Sequence, residues 1–370
     1  MHSIPNTSTF AITTRAAATS TARSRSPEQP RSAFGGLFRA VALATLLLAG
    51  PFAFWGCGAG SDDVDDPRPR VVATTGMIAD LAERLGGDRV RVEALMGPGI
   101  DPHLYKPSES AVRRLADADL ILYNGLFLEG KMGEILERLA QDRPVVAVAE
   151  RVDSERLLVP DDAGGHPDPH LWFDVGLWAE TVPAVAEALA TIAPEHAAEI
   201  QERAEATTDE LLALDAWAAE RVATIPEAAR ILVTAHDAFG YFGTRYGLDV
   251  VGVQGLSTVA EAGLRDVDRV VDLVAERRVP AIFVESSVPR RTVEAVQRAV
   301  RERGHEVAIG GELFSDAMGA PGTLEGTYDG MVRHNVNTIV EALAPAADDA
   351  AAVEDGVSAA NGDTAAAEGP

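Results

Sequence analysis

The sequence predicts an α/β protein: two parallel-sheet lobes joined by one long helix. Three observations predict it. From Val71 onward, short apolar and β-branched runs alternate with amphipathic helical stretches, the pattern of strands covered by helices on both faces. The alternation breaks once, between Pro194 and Pro226. There, about 30 residues run without Gly or Pro, enough for roughly 45 Å of helix. From Arg230 a second alternating set begins.

In the first lobe, residues 71–190, "VVATT" reads as a strand and "MIADLAERL" as a helix stopped by Gly86 and Gly87. Strand "RVRVEALM" leads into a loop stiffened by Gly97, Pro98, Gly99, Pro102 and Pro107. A helix starts near Ser108, followed by strand "LILY", helix "EGKMGEILERLA" and strand "PVVAVA". The linking helix is assigned to residues 191–226, with Pro194 suited to open it and Pro226 to stop it. In the second lobe, 227–344, strands "ILVTA", "DVVGV", "AIFVE" and "EVAIG" alternate with helices "AFGYFGTRY", "LRDVDRVVDLVAERR" and "RRTVEAVQRAVRER". A last helix, "TYDGMVRHNVNTIVEALA", closes the lobe. Residues 345–370 are low-complexity Ala, Asp, Glu and Gly, the composition of a disordered acidic tail. At 370 residues the chain is long enough for each lobe to bury its own core.

Charge narrows the function. The chain carries 57 acidic and 32 basic residues, a formal net charge of −25. Nucleic acid is excluded as a partner, because phosphate needs a basic face. An acidic surface fits a soluble monomer that repels its copies, or one that handles cations. The single cysteine, Cys57, rules out an intrachain disulfide. It follows an apolar run from Val41 to Trp55, too short to span a bilayer but suited to a signal-peptide core. Residues 1–57 therefore read as a leader and signal peptide, and 58–70 as a short acidic tether. Gly56-Cys57 resembles the end of a bacterial lipobox, with Phe54 where that pattern has leucine. The resemblance implies export and a lipid on Cys57.

Three of the eight histidines share a setting. His103 lies in "DPHLY" after a strand, His170 in "DPHLWFD", and His236 ends the strand "RILVTAH". Ligands of parallel sheets bind beyond the carboxyl ends of the strands, so His103 and His236 sit where a site forms. A proline before a ligand histidine restricts the backbone and lowers the entropy lost on binding. Asp316, in the loop "GELFSDAMG", is the fourth candidate. Two residues from each lobe would hold a cation in the crevice between them. Each residue alone also has a plain structural reading: His103, His170 or His236 bonded to loop backbone, Asp316 capping a helix. Their positions match no short-spaced metal motif. His166 reads as solvent-exposed, and His196, His305 and His334 as ordinary surface or helix residues.

Six ordered blocks carry a closer likeness: "GIDPHLYKPSESAVRRLADADLILYNGLFLE", "DPHLWFDV", "TAHDAFGYFGTRYGL", "QGLSTVAEAG", "IFVESSVPRRTVEAV" and "LFSDAMG". In this order, over about 71–343, the chain resembles the zinc/manganese solute-binding proteins of ABC importers, the TroA-like cluster. The resemblance implies two α/β lobes, a metal between them, and a membrane permease with its ATPase as partner. It also implies that His103, His170, His236 and Asp316 are the metal ligands. Manganese-specific members can have glutamate at the third position, where this chain has His236. Zinc-specific members often carry a long His-rich loop before the second block, shortened here to "VPDDAGGHPDP". Three imidazoles and a carboxylate suit Zn²⁺, with Mn²⁺ (or iron) as the alternative.

The rival class is a zinc-dependent hydrolase, which needs an open coordination position and a base near bound water. No paired-ligand helix of the HExxH kind is present, and four protein ligands would close the zinc. Glu285 is the acid to weigh as a base, though it reads better as a brace of the crevice. No catalytic residue is assigned. A carrier of organic solutes, suggested by fold analogy alone, is disfavoured by the three histidines and the aspartate.

Overall fold

The computed structural model describes residues 66–160 and 164–344. The leader, the Cys57 segment, most of the tether and the acidic tail lie outside the described residues.

The first lobe holds strands β1 (Arg70–Ala73), β2 (Arg91–Ala94), β3 (Leu120–Tyr123) and β4 (Val145–Ala147), all parallel in the order β2-β1-β3-β4. Adjacent residues feed different cores. Val71, Ala73, Leu120 and Leu122 join a core under helix α1 (Gly76–Gly86). Val72 and Ile121 pack on Leu115 of α2 (Glu109–Ala116) and Leu136 of α3 (Gly133–Leu139). That is the period-two signature of strands buried on both faces. Ser108 accepts the N–H of Ala111 and caps α2, as its position before the helical run predicts.

Helix α3 begins four residues later than the sequence pattern suggests. Its expected first residue, Glu129, is buried and engaged elsewhere. The Glu129 carboxylate accepts from Thr74 Oγ1 (2.6 Å), Asn124 N (2.8 Å) and Gly125 N (3.2 Å), satisfying donors at the ends of β1 and β3. The chain between runs left-handed through Gly125, Leu126 and Phe127.

After β4, "DPHLWFDVGLWAETVPAVAEALATIA" folds as a 3₁₀ turn (Leu171–Phe173), α4 (Val175–Ala179) and α5 (Val182–Ile192). The long helix α6 covers Ala197–Val222, 26 residues. It starts later than expected because Pro194–His196 forms a separate 3₁₀ turn, and it stops short of Pro226. Its buried stripe of Ile200, Ala204, Leu211, Leu214, Ala218 and Val222 packs on α1, α4 and α5. At the other end of α1, Arg203 of α6 donates to the Gly86 carbonyl (3.0 Å), satisfying a helix C-terminus.

The second lobe contains β5 (Ile231–His236), α7 (Gly240–Tyr246), β6 (Asp249–Gln254), α8 (Leu264–Glu276), β7 (Ala281–Glu285), α9 (Arg291–Glu302), β8 (Ala308–Leu313) and α10 (Tyr328–Leu343). The strands form two parallel pairs, β5-β6 and β7-β8, with β5 lying alongside β7. Helix α6 also packs on α7 and α10, and Asp215 fastens it by accepting from Arg245 Nε (2.9 Å) and Tyr246 Oη (2.9 Å).

The lobes share an apolar interface. Phe173 stacks on Phe239 with centroids 4.2 Å apart, and Trp178 stacks on Tyr328 at 5.6 Å. One continuous core runs through these rings and α6. Wide hinge opening would expose that surface, so the fold favours small relative motions of the lobes.

Candidate metal centre

Four loops or strand ends bring His103, His170, His236 and Asp316 to one point. All four are buried, with exposures of 5%, 0%, 0% and 2%. His103 Nε2 and His170 Nε2 are 3.3 Å apart. Asp316 Oδ1 lies 3.4 Å from His170 Nε2, and its Oδ2 lies 3.4 Å from His236 Nε2 and 3.9 Å from His103 Nε2. The four donor atoms all lie within 4.8 Å of one another. Tetrahedral zinc, with bonds of about 2.1 Å, separates its ligands by roughly 3.4 Å. His236 Nε2 and both oxygens of Asp316 are buried without a hydrogen-bond partner. Buried polar atoms that converge unpaired are costly unless a cation satisfies them.

Each histidine is fixed from behind. His103 sits in the β2–α2 loop, which turns through Gly99 in a left-handed conformation (φ +70°) that favours glycine. Asp101 Oδ1 accepts the N–H groups of His103 (2.8 Å) and Leu104 (3.3 Å), closing a turn around Pro102. The second Asp-Pro-His segment is tied in a related way, with a ring bond where the first has a second backbone bond. Asp168 Oδ1 accepts the backbone N–H of His170 (2.9 Å) and its Nδ1–H (2.7 Å). Gly240 makes room for that carboxylate, since a Cβ there would lie 2.9 Å from Asp168 Oδ2. His236 closes β5, and Glu285, at the end of the neighbouring β7, accepts both its N–H (2.9 Å) and its Nδ1–H (2.5 Å). With Nδ1 donating to its carboxylate, Nε2 is the ring atom of His170 and of His236 that faces Asp316, and it can offer a lone pair to a cation once its proton is lost. This is the orientation that carboxylates behind histidine ligands impose.

Asp101 and Asp168 tie down both segments alongside the prolines, a role for which the repeated Asp two residues before each His is the visible sequence signal. Glu285 is a brace; its two oxygens are taken by His236, so it is not poised as a base. The remaining histidines of the described residues lie apart from the cluster. His166 is exposed and packs edge-on against Phe127 (4.4 Å), His305 bonds the Val279 carbonyl, and His334 bonds that of Glu312. His196 lies near Glu195 and Glu199.

The site is electrostatically uneven. Burial pulls the His103 imidazole down to about 3, so it is neutral. Burial also works against the charged form of His170, but the carboxylates of Asp168 and Asp316 outweigh it and push this ring up to about 9. At His236 burial is likewise overcome, by Glu285 and Asp316, and the ring titrates well above its usual range. Asp316 is held well below the usual carboxylate range, because His236, His170 and His103 outweigh the effect of its burial.

Known proteins share this architecture. A family model, zinc-uptake complex component A periplasmic (ZnuA), matches residues 71–342. The manganese-binding lipoprotein MntA of Bacillus subtilis is 47% identical over 83% of this chain and 99% of its own length. The zinc-binding protein TroA of Treponema pallidum is 50% identical over 76% of this chain and 91% of its own. The solved structure of that periplasmic zinc-binding protein superposes with a TM-score of 0.74, covering 75% of this chain and all of the other.

Proposed function

The chain belongs to the ZnuA family of metal-binding solute-binding proteins of ABC importers, and from that premise we propose that it captures one Zn²⁺ outside the cytoplasm and delivers it to a membrane permease with its ATPase. One observation carries the choice of metal. His103, His170, His236 and Asp316 present three imidazole nitrogens and one carboxylate in a buried shell no wider than 4.8 Å. Zinc accepts four such ligands tetrahedrally, and it stands above Mn²⁺ in the affinity order for a given site. Manganese is the second reading, and the 47% identity to a manganese-binding lipoprotein supports it. A bidentate Asp316, with both oxygens unpartnered, would supply the fifth donor that Mn²⁺ favours.

Metal-stripped protein is expected to bind one Zn²⁺ per chain, more tightly than Mn²⁺, in competition calorimetry. Binding at pH 7 releases protons, because His170 keeps its proton up to about 9 and must surrender it to become a ligand. Zinc affinity therefore climbs as pH rises toward that value and falls as acid returns the proton. The same imidazolium stabilises the metal-free fold fully below the unfolded histidine value, and that contribution fades as pH rises through about 9. Tighter binding of Mn²⁺ would overturn the zinc assignment.

Location forms the other half of the reading. The matched family is described as periplasmic and the Bacillus relative is a lipoprotein. Lipidation of Cys57 and removal of the leader before it would tether the carrier beside its permease. Mass spectrometry of the mature N-terminus is expected to find a diacylated Cys57. Cleavage beyond Cys57 would rule the anchor out.

A further inference from the structure

His103 and His170 come from matching Asp-Pro-His segments, yet the second lobe holds them differently. Around His170 it grips at several buried points. Tyr241 Oη donates to the Asp168 carbonyl (3.2 Å), Trp172 Nε1 donates to the Ser315 carbonyl (3.2 Å), and Tyr328 Oη donates to the Trp172 carbonyl (2.7 Å). The His103 arm, by contrast, is bordered by exposed residues, with Ile100 at 41% and Leu104 at 45%. Besides close approaches to Ser286 and Asp316, it is hydrogen-bonded to the second lobe by Thr258, whose Oγ1 donates to Asp101 Oδ2 at 2.5 Å.

That bond has an unusual position. The other oxygen of Asp101 holds the backbone N–H groups of His103 and Leu104. One carboxylate therefore couples the His103 backbone to the opposite lobe. Thr258 is the buried member of an otherwise open stretch, 8% exposed between exposed Ser257 and Val259. Its loop, between β6 and α8, is braced from within by Gln254 Nε2 donating to the Ala260 carbonyl (3.2 Å). A cavity of ≈ 430 Å³ adjoins the contact, with His103 and Phe127 on one side and Leu256 and Ser257 on the other. His103 is the one residue of the four-residue cluster that lines this cavity.

We infer that Thr258 and Asp101 form a latch across the cleft that sets how fast a bound metal leaves. Thr258 is a positioning residue: it acts on His103 through Asp101. A metal departs by shedding ligands one at a time, and the ligand on the least anchored arm sheds first. The latch restrains that arm once the cleft is closed, so it acts on dissociation more than on capture. The inference rests on the reading of the four side chains as a metal site.

The test is the release of Zn²⁺ from the loaded full-length protein into an excess of a chromogenic chelator, followed by stopped flow. Thr258→Val keeps the shape and removes the donor. It is expected to speed release roughly tenfold, the worth of a hydrogen bond to a charged group, with little change in association. Thr258→Ser restores the donor and should return release close to wild type. Wild-type release from Thr258→Val would overturn the latch, as would Thr258→Ser releasing as fast as Thr258→Val. A wild-type chain that fails to retain Zn²⁺ at all would sink the metal-site reading and the latch with it, and that result is distinct from the first two.

Discussion

His236→Ala should weaken Zn²⁺ binding by about two orders of magnitude or more. Structural zinc sites gain roughly 10–16 kcal/mol from four ligands, so one ligand is worth on the order of 3 kcal/mol. His236 is the sharpest place to remove one. Its Nε2 is buried, unpartnered and 3.4 Å from Asp316 Oδ2, and its ring is held in place by Glu285. Mn²⁺ binding should weaken as well, because the shell then has one donor fewer for either ion. His236→Glu should behave differently. It exchanges a nitrogen for oxygen, which lowers the zinc advantage and narrows the gap to Mn²⁺. The new carboxylate lies beside Glu285, so the pair shares a proton and binding becomes steeper with pH. Calorimetry of the stripped wild type and the two variants separates these outcomes. Unchanged zinc affinity in His236→Ala would remove His236 from the ligand set.

The convergence of these four candidate residues is partly legible in the sequence, and the reasons differ by residue. His103 and His236 follow or end strands, where parallel sheets place ligands. The alternating pattern that located those strands reappears in β1 to β8 with shifts of a few residues at strand and helix ends. Two of the helix shifts have local causes: Glu129 is diverted to cap strand ends, and Pro194 opens a 3₁₀ turn ahead of α6. The brace of His236 was hidden for a topological reason. Glu285 lies 49 residues away and comes close because β5 runs beside β7, a neighbour relation that periodicity does not encode. Asp101 and Asp168 were hidden by company, since a proline after each offered a sufficient reason for a rigid turn. Thr258 gave no signal at all. A threonine in a polar loop looks solvated, and its burial depends on the lobe across the cleft.

Glu285→Gln is the second variant expected to have a large effect, and its logic is tautomeric. Glu285 accepts two hydrogen bonds from the same residue, at the backbone N–H and at Nδ1–H of His236. A glutamine has one acceptor and one donor at those positions. If its oxygen faces the backbone N–H, its amide N–H points at Nδ1, and the ring must move its proton to Nε2, the atom that faces Asp316. If it flips, the amide N–H confronts the backbone N–H and a buried donor goes unpaired. The first arrangement removes the free Nε2 lone pair, and the second keeps it only at the cost of an unpaired buried donor. Loss of such a partner typically weakens metal affinity 10–100-fold, roughly, while every ligand remains in the chain. The expected result is a Glu285→Gln protein that folds and binds one Zn²⁺ per chain with affinity lowered by about that factor. Competition against a chelator of known affinity measures it. Wild-type affinity in Glu285→Gln would show that His236 needs no carboxylate to present its lone pair, and that β7 contributes shape to this cleft rather than electronic control.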